Sequence, residues 1–81
     1  MNKDEIRSVV VKELGKIAPE TDATSIDPDA DLREELDIDS LDFLNFLTAL
    51  HKRTGVNVPE PDYRKLLTLN GAIAYLADKL K

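Results

Sequence analysis

The sequence contains no cysteine and no tryptophan, and its 81 residues include one histidine and three glycines. Without cysteine the chain has no disulfide, no thiolate ligand for zinc and no thiol nucleophile of its own. Its apolar runs are far shorter than the roughly 20 residues that cross a bilayer, and its first residues lack the apolar core of a signal peptide. We therefore expect one domain over residues 1–81, located in the cytoplasm and not inserted into membranes.

Acidic residues outnumber basic residues by 16 to 11, and the net charge of −5 is unevenly distributed. From Glu20 to Asp42 the chain carries ten acids and one base, Arg33, whereas the remainder has a net charge of +4. A general nucleic-acid-binding protein needs a basic surface, so we expect no nucleic-acid partner. The acidic stretch is either a solvated loop or a docking surface for basic partners.

Apolar residues recur at steps of three and four and predict an all-α fold. A first helix is predicted over residues 3–18, where Pro19 ends it. A second main helix is predicted over residues 39–54, a short helix over 62–67 and a last helix over 69–80. The expected architecture is a bundle of three main helices and one short third helix, with a long acidic loop between helices 1 and 2.

The connection over residues 19–38 is longer than most helix–helix loops. Apolar residues are spread along it, so we expect it to pack on the bundle and to include one helical turn over residues 32–35. These apolar anchors are Ile26, Leu32, Leu36 and Ile38.

Two of the predicted helix ends carry clear sequence signals. The second main helix ends with His51, Lys52 and Arg53 followed by Gly55, the arrangement expected at a helix C-terminus. Thr68 is a predicted N-cap for the last helix. We expect His51 to be solvated and to interact favourably with the helix dipole.

Sequence signatures of an enzyme are missing. Ser40 and His51 lie eleven residues apart on one predicted helix, a separation of roughly 16 Å that prevents them from sharing a proton. Three scattered glycines cannot form a phosphate-binding loop. We therefore expect no catalytic residue and no enzymatic activity.

A calcium loop is suggested by the run Asp27-Pro28-Asp29-Ala30-Asp31, which resembles the start of an EF-hand. The sixth position of an EF-hand needs glycine and the twelfth needs glutamate, but here they are Leu32 and Ile38. We therefore expect no metal site. An unmodified helical interaction module or calcium-binding module remains the alternative from a different functional class.

The segment Asp39-Ser40-Leu41-Asp42 marks the start of the second main helix. Asp39 is a predicted N-cap and Asp42 lies three residues later, in a position like that of a capping box. This interpretation leaves Ser40 unexplained, between two carboxylates at the end of a long loop. A serine at a helix N-terminus is well placed to carry a phosphate ester, because free N–H groups and the helix dipole stabilise the anion.

The segment from Glu35 to Leu44, ELDIDSLDFL, resembles the phosphopantetheine attachment motif of acyl carrier proteins. Size, acidity and helix order extend the resemblance over nearly the whole chain. It implies a four-helix bundle of acyl-carrier type that carries acyl groups as thioesters on a 4′-phosphopantetheine arm. A phosphopantetheinyl transferase, with Mg²⁺, would attach the arm from coenzyme A to Ser40, and the arm would supply the missing thiol.

The resemblance also implies which partners the chain meets. The second main helix is the docking element of this family, and its partners are acyl-loading and acyl-processing enzymes with basic docking patches. We expect a monomer whose docking residues are Asp39, Leu41, Asp42 and Asn45. Asn45 and the basic helix end depart from the acids usual in fatty-acid carriers, which favours a specialised stand-alone carrier. Apolar cargo folding back into the bundle would be lined by Phe43, Phe46, Leu47 and Ile73.

The resemblance leaves the cargo open. Fatty-acid, polyketide and specialised lipid-like pathways all use carriers of this type, and an aminoacyl or peptidyl carrier is the closest alternative. Peptidyl carriers usually approach the serine through a glycine-rich segment, whereas this chain has Leu36-Asp37-Ile38. That difference favours an acyl cargo.

Overall fold

Three long α-helices, one short helical turn and one 3₁₀ helix make up the computed structural model, which describes residues 1–80. In chain order they are α1 (Lys3–Ile17), α2 (Leu32–Glu35), α3 (Ser40–Thr54), the 3₁₀ helix (Glu60–Leu66) and α4 (Leu69–Lys79). Helix α1 packs against both α3 and α4, and the 3₁₀ helix packs against α4. The predicted all-α bundle of acyl-carrier type is confirmed.

The core is formed by one apolar stripe from each long helix, as the helical periodicity predicted. The fully buried side chains include Ile6, Val10 and Leu14 of α1, Phe46 and Leu50 of α3, Leu66 of the 3₁₀ helix, and Leu69 and Leu76 of α4. The loop anchors Leu32 and Leu36 join the same core, and Ile26 and Ile38 pack against it half-buried.

The boundaries of α1 follow from residues at both of its ends. Asn2 and Glu5 form a capping box, in which the Glu5 N–H donates to Asn2 Oδ1 at 2.8 Å. At the other end Ala18 leaves the helical conformation, with φ −127° and ψ 69°. The residue before a proline is restricted in this way, so Pro19 ends α1 as predicted.

The long acidic connection is tied to the start of α4. The Asn70 N–H donates to the Pro28 carbonyl at 3.0 Å, and the Asn70 side-chain amide donates to Asp29 Oδ1 at 2.8 Å. The Leu32 N–H donates to the Leu67 carbonyl at 2.7 Å. These bonds place α2 beside the end of the 3₁₀ helix and confirm that the loop packs on the bundle.

The short helix begins earlier than the sequence predicted, at Glu60 instead of Asp62, and it is a 3₁₀ helix. Pro59 is its N-cap residue and Pro61 lies in its first turn. Proline is tolerated there because the first N–H groups of a helix have no partner within the helix, and its fixed φ suits the helical conformation.

One buried acid connects α1 to the end of α3. The Glu13 side chain is 5% exposed, and its Oε1 lies 3.0 Å from Arg53 Nη1 and 3.3 Å from Lys16 Nζ. A buried carboxylate needs such partners, because an unpaired one is strongly destabilising. Arg53, which the sequence presented only as part of a basic helix end, therefore also fixes the packing of two helices.

A buried tyrosine connects α4 to the 3₁₀ helix. The Tyr75 hydroxyl donates to Asp62 Oδ2 at 2.7 Å. Burial, together with the hydrogen bond to Asp62 and its charge, raises the pKa of Tyr75 to about 12. The same hydrogen bond, as its largest cause, lowers the pKa of Asp62 below 3.8. Both shifts favour the protonation states present at neutral pH.

We expect Tyr75→Phe to lower the free energy of unfolding at neutral pH by about 1 kcal/mol, through loss of this hydrogen bond. Because the pKa of Tyr75 is raised in the folded protein, its hydroxyl contributes its full stabilisation below pH 10.0. This stabilisation is lost as the pH rises towards about 12. Because the pKa of Asp62 is lowered in the folded protein, the stabilisation from its carboxylate is lost as the pH falls below 3.8. Urea denaturation across this pH range should therefore show the wild-type advantage shrinking at both extremes. A pH-independent difference would contradict this, and Tyr63→Phe is the matched control.

Candidate functional site

Ser40 is the first residue of α3, and a side-chain cap fixes its position. Asp39 is the N-cap, as predicted, and its Oδ1 accepts a hydrogen bond from the Asp42 N–H at 2.9 Å. The Asp39 carbonyl accepts from the Phe43 N–H at 3.1 Å. The Ser40 side chain is exposed, and within residues 1–80 its hydroxyl has no hydrogen-bond partner. A rigid helix start therefore presents a free hydroxyl to solvent.

The approach to Ser40 is a tight turn between α2 and α3. Asp37 has a φ of 52°, in the left-handed region, and the Ile38 N–H donates to the Arg33 carbonyl at 3.1 Å. Aspartate is one of the few residues besides glycine that tolerate this conformation. Leu36 is buried and Ile38 is half-buried on either side of the turn, which holds Ser40 from the loop side as well.

A groove of about 450 Å³ lies beside Ser40, between α3 and the 3₁₀ helix. Besides Ser40 it is lined by the hydrophobic or aromatic residues Phe43, Leu44, Tyr63 and Leu67 and by the charged residues Arg33, Glu60 and Arg64. A second depression of about 170 Å³ shares Leu44 and Tyr63 with it and extends to His51. An open, largely apolar surface next to a free hydroxyl has room for a long group attached to that hydroxyl.

The surface between the end of α1 and the turn before Ser40 is acidic. A depression of about 210 Å³ there is lined by Glu20, Asp37 and Asp42, together with the end of α1. Within residues 1–80 no group of three or more His, Asp or Glu side chains is arranged to hold a metal ion. Ser40 thus lines a groove that carries two arginines and follows a turn that lines an acidic depression.

The three aspartates that resemble an EF-hand are engaged in local hydrogen bonds. Asp27 Oδ1 accepts from the Asp29 N–H at 2.9 Å, and Asp31 Oδ1 accepts from the Arg33 N–H at 2.8 Å as the N-cap of α2. The hydrogen bond from the Arg33 side chain is the largest cause that lowers the pKa of Asp31. With Asp29 bound to Asn70, these carboxylates shape the loop.

The predicted docking residues share the first turns of α3. Leu41 is 66% exposed, Asp39 and Asn45 are exposed, and Asp42 is partly exposed. Leu44, at 40% exposure, extends the apolar part of this surface. Two exposed leucines therefore lie beside carboxylates at this end of α3.

The far end of α3 presents fewer free charges than its sequence suggests. His51 is exposed, as predicted, but its Nδ1 also lies 3.0 Å from the Val56 carbonyl, to which it donates when protonated. Arg53 is occupied by Glu13. Gly55 ends the helix in the left-handed conformation, with φ 74°, as the sequence predicted.

The four residues expected to line a cargo cavity occupy different places. Phe43 lines the groove beside Ser40, and Leu47 lines its continuation. Phe46 is fully buried in the core. Ile73 lies in a separate depression with Lys3 and Arg7 on the α1 side of α4. Phe46 is nevertheless in contact with Phe43, their ring centroids being 6.1 Å apart, so Ile73 is the residue that lies apart from the groove.

Of the groove residues, sequence reasoning singled out Ser40 and Phe43 and missed the others, among them Arg33, Tyr63 and Arg64. Arg33 could have been singled out as the only base in the acidic stretch. Tyr63 lies on the predicted short helix and is half-buried. Arg64 had no signal of its own, because its place beside Ser40 depends on how the 3₁₀ helix packs.

Comparison with known proteins shows to which family a chain with this site belongs. The family model described as phosphopantetheine attachment site matches residues 4–76. The acyl carrier protein of Campylobacter hominis is 34% identical over 73 residues, covering 90% of this chain and 86% of that protein. The chain belongs to the acyl carrier protein family. Other members include the acyl carrier protein of Nitratidesulfovibrio vulgaris strain Miyazaki F, 30% identical over 77 residues with 95% of each chain covered. The Helicobacter pylori acyl carrier protein is 27% identical over 75 residues, covering 93% and 90%.

As an acyl carrier protein, the chain has a carrier role, and its cofactor is a covalently bound 4′-phosphopantetheine. The free hydroxyl and the open groove fit such a group. When bound, the arm supplies a terminal thiol that forms thioesters, which the cysteine-free chain cannot provide itself. None of the helices within residues 1–80 has the length and hydropathy needed to cross a membrane.

Proposed function

We propose that Ser40 carries the 4′-phosphopantetheine arm and that the chain presents acyl thioesters to enzymes of a fatty-acid, polyketide or related lipid-like pathway. The observation that carries this proposal is the exposed Ser40 hydroxyl, which has no hydrogen-bond partner within residues 1–80 and lies at a capped helix start beside an open groove. In the attachment step the serine oxygen forms a phosphodiester, its proton leaves, and the nucleotide part of coenzyme A departs.

We propose that the chain itself is not an enzyme. His51, the only histidine, lies eleven residues from Ser40 along α3 and is directed to the Val56 carbonyl. That spacing corresponds to roughly 16 Å along the helix axis, too far for proton transfer. Ser40 therefore depends on a phosphopantetheinyl transferase for its activation.

The first turns of α3 form the proposed docking surface. Asp39, Asp42 and the acidic loop would attract a basic patch on a partner, while Leu41 provides an apolar contact close to Ser40. Asn45 adds a neutral polar contact one turn further on. The partners that fit are the transferase and the acyl-loading and acyl-processing enzymes that must reach the arm.

The test is to incubate the protein with coenzyme A, Mg²⁺ and a broad-specificity phosphopantetheinyl transferase and to measure its intact mass. We expect a gain of one phosphopantetheine, localised by peptide fragmentation to Ser40 among the serines Ser8, Ser25 and Ser40. No gain with several transferases would reject the proposal and favour an unmodified helical module. A gain at a different residue would reject the assignment of Ser40.

The docking proposal predicts that Asp42→Lys slows modification by the transferase about three- to tenfold at low salt, because the substitution repels a basic partner. The helical fold should persist, since Asp42 contributes its backbone N–H, and not its carboxylate, to the Asp39 cap. Initial rates at increasing ionic strength measure the effect, and the difference should shrink as salt screens the charges. Asp4→Lys, the same charge change on α1, is the control. Equal rates for Asp42→Lys and wild type at all ionic strengths would overturn the docking claim.

A further inference from the structure

The groove beside Ser40 carries two arginines, Arg33 and Arg64, in an otherwise acidic neighbourhood. We propose that these arginines hold the phosphodiester of the arm, so that the arm rests along the groove instead of extending into solvent. This inference depends on the proposed attachment at Ser40.

The first argument is the state of the two guanidinium groups. Arg33 directs Nη2 to Asp31 Oδ2 at 3.1 Å and Nε to Asp31 Oδ1 at 3.4 Å, which leaves Nη1 available. Its side chain is 42% exposed, so Asp31 orients it without burying it. Arg64 is exposed and has no ion pair within residues 1–80. Arg64 can therefore accept an anionic partner directly, and Arg33 can add a hydrogen bond from Nη1 while its charge stays paired with Asp31.

The second argument is the difference in charge between the two depressions near Ser40. A phosphodiester on Ser40 brings one negative charge to a fixed position. The depression beyond the turn before Ser40 is lined by Glu20, Asp37 and Asp42, which repel an anion. The groove that Ser40 itself lines carries Arg64 and Arg33 with the acid Glu60, and Arg33 is paired with Asp31. The phosphodiester therefore finds its cationic partners in the groove, and guanidinium groups are well suited to bind phosphate.

The third argument is continuity between the charged rim and the apolar floor. Arg64 and Tyr63 are neighbours on the 3₁₀ helix, and Phe43 and Leu44 follow Ser40 on α3. A phosphodiester held by the arginines places the rest of the arm over these apolar side chains.

The experiment compares apo and holo protein by ¹H–¹⁵N NMR, after intact mass has confirmed attachment. We expect amide shifts at Arg33, Phe43, Leu44, Tyr63, Arg64 and Leu67, and we expect the double variant Arg33→Gln/Arg64→Gln to lose most of them. Arg7→Gln, an exposed arginine on α1 in a separate depression, is the matched control and should keep the shifts. The circular dichroism of each variant checks that the fold is intact.

A second readout uses the arm thiol, which is the only thiol because the sequence has no cysteine. Its alkylation by the neutral reagent iodoacetamide should be about three- to fivefold faster in the double variant, the range expected for losing exposed ion pairs. If holo protein forms but the groove amides do not shift, or shift equally in the double variant, the resting-site proposal is wrong and the carrier proposal stands. If no holo protein forms with any transferase, both proposals fail.

Discussion

Replacing Ser40 with alanine should abolish the mass gain of one phosphopantetheine while leaving the free energy of unfolding within about 0.5 kcal/mol of wild type. The loss should be complete because, in the proposed attachment, the Ser40 oxygen is the atom that forms the phosphodiester, and alanine has no substitute for it. The fold should be unaffected because the Ser40 side chain is exposed and makes no hydrogen bond within the described residues 1–80.

The controls separate a missing nucleophile from a damaged site. Ser8→Ala removes an exposed helical hydroxyl from α1 and should be modified at the wild-type rate. Urea denaturation of both variants should give midpoints close to that of wild type. If Ser40→Ala still gains one phosphopantetheine, the attachment residue is elsewhere. If Ser40→Ala gains no mass but is also unfolded, the missing modification reflects the lost fold. The attachment residue is then assigned by peptide fragmentation of the modified wild-type protein.

The structure of the site explains why removing the Ser40 hydroxyl should leave the stability of the fold unchanged. The cap is supplied by Asp39, and the preceding turn is held by the buried Leu36 and the half-buried Ile38. These neighbours fix the start of α3, and the Ser40 hydroxyl makes no hydrogen bond within residues 1–80 that the fold needs. A carrier needs this arrangement, because the modified residue must be accessible to an enzyme while its backbone stays in place.

Much of this site could be predicted from the sequence because its signals are local. Pro19, Asp39, Gly55 and Thr68 mark helix ends through constraints that act within a few residues, and each acts as predicted. The apolar periodicity of the long helices located the core for the same reason. The position of Ser40 followed from the Asp39 cap.

The features that sequence reasoning missed depend on contacts between distant elements. Glu13 is buried because Arg53, 40 residues later, reaches it across two helices. Tyr75 is buried, and its hydroxyl is satisfied there by Asp62, 13 residues earlier on the 3₁₀ helix. Arg64 lies near Ser40 because the 3₁₀ helix packs where it does. Helical periodicity contains no information about such pairings.

The packing of the 3₁₀ helix on α4 leads to a second large effect, at Gly71. Alanine has a higher helix propensity than glycine, so propensity alone predicts that Gly71→Ala stabilises α4 by about 0.5–1 kcal/mol. The structure predicts the opposite sign. A Cβ at Gly71 would overlap the carbonyl oxygen of Lys65 and lie 2.8 Å from Thr68 Oγ1. The Lys65 carbonyl belongs to the backbone of the 3₁₀ helix and cannot move alone.

Two anchors resist the shift that alanine would require. Leu66, next to Lys65, is fully buried in the core. Thr68 Oγ1 accepts the Gly71 N–H at 2.9 Å as the N-cap of α4, so moving Thr68 aside would break the cap. Overpacking of this kind costs about 1–3 kcal/mol, which outweighs the gain in helix propensity.

We therefore expect Gly71→Ala to lower the free energy of unfolding by about 1–3 kcal/mol, measured by urea denaturation. Gly15→Ala is the matched control: among the described residues 1–80 nothing lies within 4 Å of its added Cβ, so it should be stabilising by about 0.5–1 kcal/mol. Because the 3₁₀ helix also forms one wall of the groove beside Ser40, Gly71→Ala should shift the Tyr63 and Arg64 amides as well. If Gly71→Ala is as stable as Gly15→Ala, the 3₁₀ helix can shift away from the added Cβ with little loss of unfolding free energy. Its packing on α4 would then not be what fixes the groove.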